Sequence, residues 1–132
     1  MIPFFNIKSE NEAYAKAYAK ELSLFLESGQ YILGDAVTTF EREFAAFCGT
    51  DFCVGTSNGL DALRLIFEGY KSLGILAEGD EVLVPAHTYI ATVLAVTQAG
   101  LTPVFVEPKD GSFDMDVKEA QRLTSSKTKA CL

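Results

Sequence analysis

Hydrophobic and polar positions along this chain predict short strands alternating with amphipathic helices. Residues 52–54, 82–84 and 102–106 form short runs rich in β-branched and aromatic side chains, which are typical of strands. Residues 82–84 are apolar without alternation, as in a strand that is buried on both faces of a parallel sheet. Residues 127–132 have the pattern of an opening fourth strand. This order predicts an α/β protein with right-handed crossovers.

Five segments carry apolar residues at helical spacing or a cap residue followed by helix formers. They are 9–27 with a Ser9–Glu12 capping box, 40–47 capped by Thr38 or Thr39, a helix from Gly59 that ends before a 74–79 loop, 89–99, and a helix through Leu123 capped by Asp116. Gly29, Gly49 and Gly100 mark three ends. The fourth helix is expected to turn Ile90, Val93, Leu94 and Thr97 inward. An extended segment is predicted at Pro3-Phe4-Phe5, and a turn at Asp110-Gly111.

The chain is organised around residues 54–67, which are predicted to form a strand, a small polar turn and a helix. Ser57 or Asn58 can cap this helix, which leaves the N–H groups of Gly59 and Leu60 facing open space. Such a helix start is suited to an anion. It does not match the P-loop, because no Gly-Lys-Ser/Thr follows, and its glycines are not spaced as in the dinucleotide fingerprint. An ordinary capped helix start therefore remains an open alternative.

Composition and charge narrow the class of partner. The 132 residues are 48% hydrophobic and carry a net charge of −7, without a Lys/Arg-rich cluster. Nucleic acids and anionic membranes are therefore disfavoured as partners, and small molecules or other subunits are favoured. The sequence has no apolar run of membrane-spanning length and no secretory signal, so a cytoplasmic protein is expected.

The three cysteines, Cys48, Cys53 and Cys131, lack metal-ligand spacing and lie beside apolar residues. This pattern favours buried, reduced thiols over a disulfide framework or a zinc site. No metal site is predicted.

Six segments, taken in order, resemble the amino-terminal part of the DegT/DnrJ/EryC1/StrS sugar aminotransferases. They are Gly29-Gln30-Tyr31-Ile32-Leu33-Gly34, Phe40-Glu41-Arg42-Glu43-Phe44, Thr56-Ser57-Asn58-Gly59-Leu60-Asp61-Ala62-Leu63, Gly79-Asp80-Glu81-Val82, Val84-Pro85-Ala86-His87-Thr88-Tyr89-Ile90-Ala91-Thr92 and Thr102-Pro103-Val104-Phe105-Val106. The resemblance covers nearly all of the chain but only the amino-terminal portion of a typical family member.

The resemblance implies a truncated piece, residues 1–132, of the large domain of a fold-type-I pyridoxal-phosphate enzyme. That domain has three α/β/α layers around a mainly parallel sheet. Members aminate nucleotide-linked keto-sugars, commonly with glutamate as donor, and are generally homodimers. The resemblance assigns the cofactor phosphate to the amides of Gly59 and Leu60 and the pyridine ring to Tyr89. It leaves Gln30 and Tyr31 as candidates for the sugar site.

The same resemblance assigns no catalytic residue to this chain, because the Schiff-base lysine and the acidic partner of the ring nitrogen lie further along a typical member. His87, the single histidine, is expected to serve its loop rather than catalysis. The isolated chain is expected to be inactive, and to self-associate through uncovered helix faces at Phe40, Phe44, Leu63 and Phe67. The alternatives are a non-catalytic fragment and a small module that binds a phosphate-bearing ligand.

Overall fold

The computed structural model describes residues 4–132, which divide into two compact units, residues 4–55 and Thr56–Leu132. Pro3 of the predicted extended segment lies outside the described residues. The first unit is helical, and its helices are α1 (Ile7–Asn11), α2 (Ala15–Ser28) and α3 (Asp35–Cys48).

The prediction of one helix over residues 9–27 is wrong, because α1 and α2 are separate. The side chain of Asn6, not Ser9, caps α1 by accepting a hydrogen bond from the Ser9 amide at 3.3 Å. Between the two helices the Tyr14 amide donates to the carbonyl of Asn11, three residues back, at 3.1 Å. Such tight turns replace the i→i+4 bonds that would have continued the helix.

The glycine stops of this unit are confirmed, whereas the start of α3 differs from the prediction. Gly29 and Gly49 end α2 and α3 with left-handed φ values of 68° and 70°. Gly34 is the N-cap of α3, and its carbonyl accepts from the amide of Thr38 at 3.3 Å. Thr38 and its neighbour therefore lie inside the helix and do not cap it.

Residues 52–54 do not form the predicted strand. Two backbone groups of this stretch bond to side chains. The hydroxyl of Thr50 donates to the Phe52 carbonyl at 3.1 Å, and the Gly55 amide donates to the carboxylate of Glu41 at 2.6 Å. A strand requires a partner for its ladder, and no described strand supplies one to this segment.

The second unit is α/β, as predicted, and is built on a parallel sheet. Its strands are β1 (Glu81–Pro85), β2 (Thr102–Val106) and β3 (Thr128–Cys131), in the order β2-β1-β3. Its helices are α4 (Gly59–Ser72), α5 (Ile90–Gln98) and α6 (Val117–Leu123). Glu81 pairs with Thr102 at one end of the β1–β2 ladder, and Pro85 pairs with Val106 at the other.

The core lies between β1 and the helices α4 and α5. Val82 and Val84 are completely buried on one face of β1, and Leu83 on the opposite face is only 5% exposed, which confirms that the strand is covered on both faces. Phe67 of α4 is only 4% exposed and Leu63 packs against it in the same core cluster. The prediction that these two residues are uncovered is therefore wrong.

The predicted inner face of α5 is also largely wrong. Ala95 and Val96 are completely buried, whereas Ile90 and Leu94 are exposed and only Val93 of the predicted set packs on the core. Because six of the nine residues of α5 are apolar and they lie on several sides of the helix, periodicity does not identify the buried face. Small side chains pack closest to the sheet.

Other local predictions are confirmed. Asp116 caps α6 by accepting from the amide of Lys118 at 2.8 Å, Gly100 follows α5 with φ 72°, and a turn forms at Asp110-Gly111. All three cysteines are free thiols, but Cys48 and Cys131 are exposed and Cys53 is half-buried, so their predicted burial is wrong. Among residues 4–132, none of the helices has the length and apolar character needed to cross a membrane.

Candidate functional site

The start of α4 is fixed by its cap. Asn58 is the N-cap, and its side-chain oxygen accepts from the Asp61 amide at 2.9 Å. The hydroxyl of Thr56 donates to the carbonyl of Asn58 at 3.1 Å, which holds the preceding turn. Of the two predicted cap residues, Asn58 is the one used.

The amides of Gly59 and Leu60 form the first turn of this helix. Neither donates a hydrogen bond to any described residue, as expected of amides at the beginning of an α-helix. A Cβ built on Gly59 would meet no atom within 4 Å, so the space beside it is open. The 14-residue helix adds the positive end of its dipole to these amides.

A carboxylate lies in the same turn. Oδ2 of Asp61 accepts from the Ser57 hydroxyl at 2.5 Å and from the side-chain nitrogen of Asn58 at 3.1 Å. Its other oxygen lies 3.8 Å from the guanidinium of Arg64. Polar donors and a positive charge therefore offset the charge of Asp61.

Tyr89 comes next in the site, at the N-cap position of α5. It follows β1 by four residues, and its side chain is 78% exposed. The carboxyl ends of parallel strands are where α/β sheets place their ligands. The position of Tyr89 therefore suits contact with a ligand.

Gly59, Leu60 and Tyr89 line one cleft of about 760 Å³, formed where α4 and α5 pack together. The structure therefore brings together the three residues that sequence reasoning proposed for the cofactor. The complete lining is Asn58, Gly59, Leu60, Ala62, Leu63, Tyr89, Ile90, Ala91, Thr92 and Leu94.

Sequence reasoning missed the apolar part of this lining. Leu63, Ile90 and Leu94 were expected to pack inside the protein or in a subunit contact, yet all three line the cleft. Ile90 and Leu94 could have been found from the sequence by their distance from Tyr89. Each lies within five residues of it, on a helix that begins just after a strand end, and both side chains are exposed.

Gln30 and Tyr31 belong to the other compact unit. The Tyr31 hydroxyl donates to the carbonyl of Leu26 at 2.9 Å, and its ring lies 5.2 Å from that of Phe25. Residues 29–35, including Gln30, border an open depression. Tyr31 is 58% exposed, so part of its ring remains accessible.

His87 lies in the loop between β1 and Tyr89, where its exposed imidazole stacks on Phe113 with ring centroids 5.0 Å apart. This contact joins the loop after β1 to the loop after β2. His87 is not among the residues that line the cleft.

Comparison with known proteins identifies the family to which this chain belongs. Residues 12–132 match the sequence profile of the DegT/DnrJ/EryC1/StrS aminotransferase family. The chain belongs to this family, which confirms the resemblance seen in its motifs.

Two curated relatives are sugar-nucleotide transaminases. The chain is 45% identical over 132 residues to dTDP-3-amino-3,6-dideoxy-alpha-D-galactopyranose transaminase of Aneurinibacillus thermoaerophilus, covering all of this chain and 35% of that protein. It is 42% identical over 131 residues to dTDP-3-amino-3,4,6-trideoxy-alpha-D-glucose transaminase of Streptomyces venezuelae, covering 99% of this chain and 34% of that protein. The chain therefore spans about a third of the length of these relatives.

Solved structures agree on the fold. DesV of S. venezuelae, in complex with a ketimine intermediate, matches 98% of this chain and 34% of its own with a TM-score of 0.85 and 40% identity. GDP-4-keto-6-deoxymannose-3-dehydratase, with a trapped PLP-glutamate geminal diamine, matches 86% of this chain and 30% of its own with a TM-score of 0.77 and 27% identity. These similarities confirm that the chain has the α/β fold of pyridoxal-phosphate-dependent sugar enzymes.

Proposed function

We propose that residues 1–132 are the amino-terminal part of the large domain of a nucleotide-sugar aminotransferase and carry part of its pyridoxal-phosphate site. The observation that carries this proposal is the shared cleft, where the free amides of Gly59 and Leu60 open beside the exposed ring of Tyr89. Family membership over residues 12–132 supports the same assignment.

The chemistry of the cleft fits the cofactor. The two amides can donate to phosphate oxygens at the positive end of the helix, and the missing side chain of Gly59 permits close approach. The ring of Tyr89 offers a flat face for stacking on a pyridine ring. When bound, pyridoxal phosphate supplies the electron sink that transamination requires.

The residues of this chain would bind and orient rather than transfer protons. Leu60, Leu63 and Leu94 give the cleft apolar walls. Among the described residues that line it there is no lysine, and transamination through pyridoxal phosphate uses a lysine amine. We therefore assign no catalytic residue here, and we propose that the 132 residues alone do not turn over substrate.

The substrates follow from the relatives. Several are transaminases of dTDP-linked or UDP-linked amino sugars, which supports a nucleotide-linked keto-sugar as acceptor and an amino acid, glutamate in our proposal, as donor. Gln30 and Tyr31 are proposed to contact the sugar. A homodimeric state and a cytoplasmic location stay predictions.

The test is a titration of the 132-residue chain with pyridoxal phosphate, followed by cofactor absorbance. We expect saturable binding that Tyr89→Ala weakens and Tyr89→Phe retains, because stacking needs a ring but not a hydroxyl. If both variants bind pyridoxal phosphate as tightly as the wild-type chain does, Tyr89 is not part of the site. Absence of saturable binding to the folded wild-type chain would reject the cofactor assignment.

A second candidate is a binding module for phosphate-bearing ligands without catalysis. The free amides and the absence of lysine from the described cleft lining favour it. If a nucleotide or inorganic phosphate binds as tightly as pyridoxal phosphate, and Tyr89→Ala changes none of these affinities, the module is the better description. Preference for pyridoxal phosphate that depends on the ring at position 89 supports the cofactor site instead.

A further inference from the structure

The side chains around the start of α4 bind one another in a closed network. Asn58 bonds Asp61 through both ends of its carboxamide, accepting from the Asp61 amide at 2.9 Å and donating to its carboxylate at 3.1 Å. It also donates to the Ser57 hydroxyl at 3.0 Å, and that hydroxyl donates to the same carboxylate oxygen at 2.5 Å. Asp61 is therefore the common partner of both side chains.

We propose that Asp61 is a positioning residue for the phosphate site, acting through Asn58 and Ser57 rather than touching the ligand. This inference rests on the proposed function of the Gly59 and Leu60 amides. The second observation behind it is that these amides open into a formed cleft that also contains Tyr89, so the helix start is not an isolated terminus.

The orientation argument depends on which groups can donate. An ionised carboxylate only accepts hydrogen bonds, so Asp61 selects the Asn58 rotamer whose NH2 group faces it. The carbonyl end of Asn58 is then left for the Asp61 amide, which is the capping bond. The Ser57 proton is directed to Asp61 in the same way. Side-chain donors are thereby used internally, and the main-chain amides of Gly59 and Leu60 remain as donors for a ligand.

The negative charge of Asp61 opposes ligand binding, because a carboxylate repels phosphate. Its side chain is 38% exposed and lies beside Arg64, and both conditions weaken its long-range field. The hydrogen bonds are short and local, and therefore act on the helix start directly. We expect orientation to outweigh repulsion.

The test compares Asp61→Ala with Asp61→Asn in titrations with inorganic phosphate and with pyridoxal phosphate. The alanine variant loses the acceptor and should bind each ligand about fivefold more weakly, the factor that corresponds to one lost hydrogen bond. Asparagine keeps an acceptor oxygen and lacks the charge, so it should restore binding. A thermal melt of each variant separates local loosening from unfolding.

Two results would overturn the inference: tighter binding by both variants, which would show that repulsion dominates, or unchanged binding by Asp61→Ala. Amide hydrogen exchange at position 61 gives a readout without ligand. It should accelerate in Asp61→Ala and stay slow in Asp61→Asn, and equal exchange in both variants contradicts the network. If the wild-type chain binds neither ligand, the proposed cofactor site fails while the exchange comparison still decides the role of Asp61.

Discussion

The ammonium group of Lys71, near the end of α4, donates a hydrogen bond to the backbone carbonyl of Ala99 at 2.8 Å. Ala99 caps the end of α5 and is 1% exposed. The carboxylates of Glu68 and Glu78 lie within 4 Å of the same ammonium group, at 3.7 and 3.3 Å. The two helices that form the candidate site are therefore tied together at their carboxyl ends.

We expect Lys71→Met to lower the free energy of unfolding by about 1–2 kcal/mol, because it removes the donor from a largely buried carbonyl. Met keeps most of the aliphatic stem, so the loss reports the hydrogen bond and the charge. Chemical denaturation measures it, with the exposed Lys118→Met as control. Equal stability of Lys71→Met and wild type would show that this contact does not stabilise the unit.

Two glycines of α4 offer a matched pair for the phosphate site. A methyl group at Gly59 or Gly69 would meet no atom within 4 Å, so both alanine variants should fold. Gly59→Ala should weaken phosphate binding about fivefold by crowding the free amides, a loss comparable to one hydrogen bond. Gly69→Ala lies in the helix interior and should leave binding unchanged.

The free energy of unfolding of the Gly59→Ala and Gly69→Ala variants provides a second check. Gly69→Ala should raise the free energy of unfolding by roughly 0.5–1 kcal/mol, because alanine is the better residue inside a helix. If Gly59→Ala binds inorganic phosphate and pyridoxal phosphate as well as Gly69→Ala does, the amides at this helix start do not hold the ligand.

The sequence predicted best those elements whose signals are local and unambiguous. The apolar run 82–84 gave β1, Asp116 gave the start of α6, and Asn58 was one of two caps considered for α4. For the candidate site, the cap pattern indicated an anion site at Gly59 and Leu60, whereas the family resemblance supplied Tyr89, and the three residues line one cleft.

The errors arise where partners distant in the sequence decide the outcome. Residues 52–54 have strand composition, but a strand needs a partner from elsewhere in the chain, and no described strand pairs with them. In α5 the apolar residues are too numerous to mark a single face, so Ile90 and Leu94 were assigned inward although they line the cleft. Burial of the cysteines failed similarly, because apolar neighbours in sequence do not determine cover in space.

Val84 and Val54 test the core directly. Val84 is completely buried in β1, whereas Val54 is 76% exposed. Val84→Ala removes two methyl groups and leaves a cavity, so it should destabilise by about 2 kcal/mol, while Val54→Ala should change stability little. Chemical denaturation of both variants measures the difference. Similar losses would place the core elsewhere.

The stability of α6 should depend on pH through the ion pair of Glu119 and Arg122. Arg122 donates two hydrogen bonds to the Glu119 carboxylate, at 2.8 and 2.6 Å, and they hold the pKa of Glu119 below its ordinary value. Because the folded-state pKa is lowered, the pair stabilises above the unfolded-state pKa of about 4.3. That contribution is lost as the pH falls through the folded-state pKa.

A carboxyl-carbon NMR titration of Glu119 measures this shift. Arg122→Gln should move the midpoint upward. Lys118→Gln, which removes a positive charge from the same helix without breaking these hydrogen bonds, should move it much less. Equal midpoints in wild type and Arg122→Gln would contradict the paired arrangement.

Self-association of the isolated 132-residue chain is expected to depend on α3. Phe40 and Phe44 stack with ring centroids 5.5 Å apart and remain 55% and 46% exposed. Neighbouring exposed aromatic rings favour association, because burying them removes apolar surface from water. We expect the wild-type chain to be oligomeric or poorly soluble, and the double variant Phe40→Ser/Phe44→Ser to be shifted toward monomer.

The control is the double variant Phe113→Ser/Val117→Ser. It alters exposed apolar residues of the other unit and should have less effect. Light scattering and solubility measure both, and a monodisperse wild-type monomer at micromolar concentration would contradict the prediction.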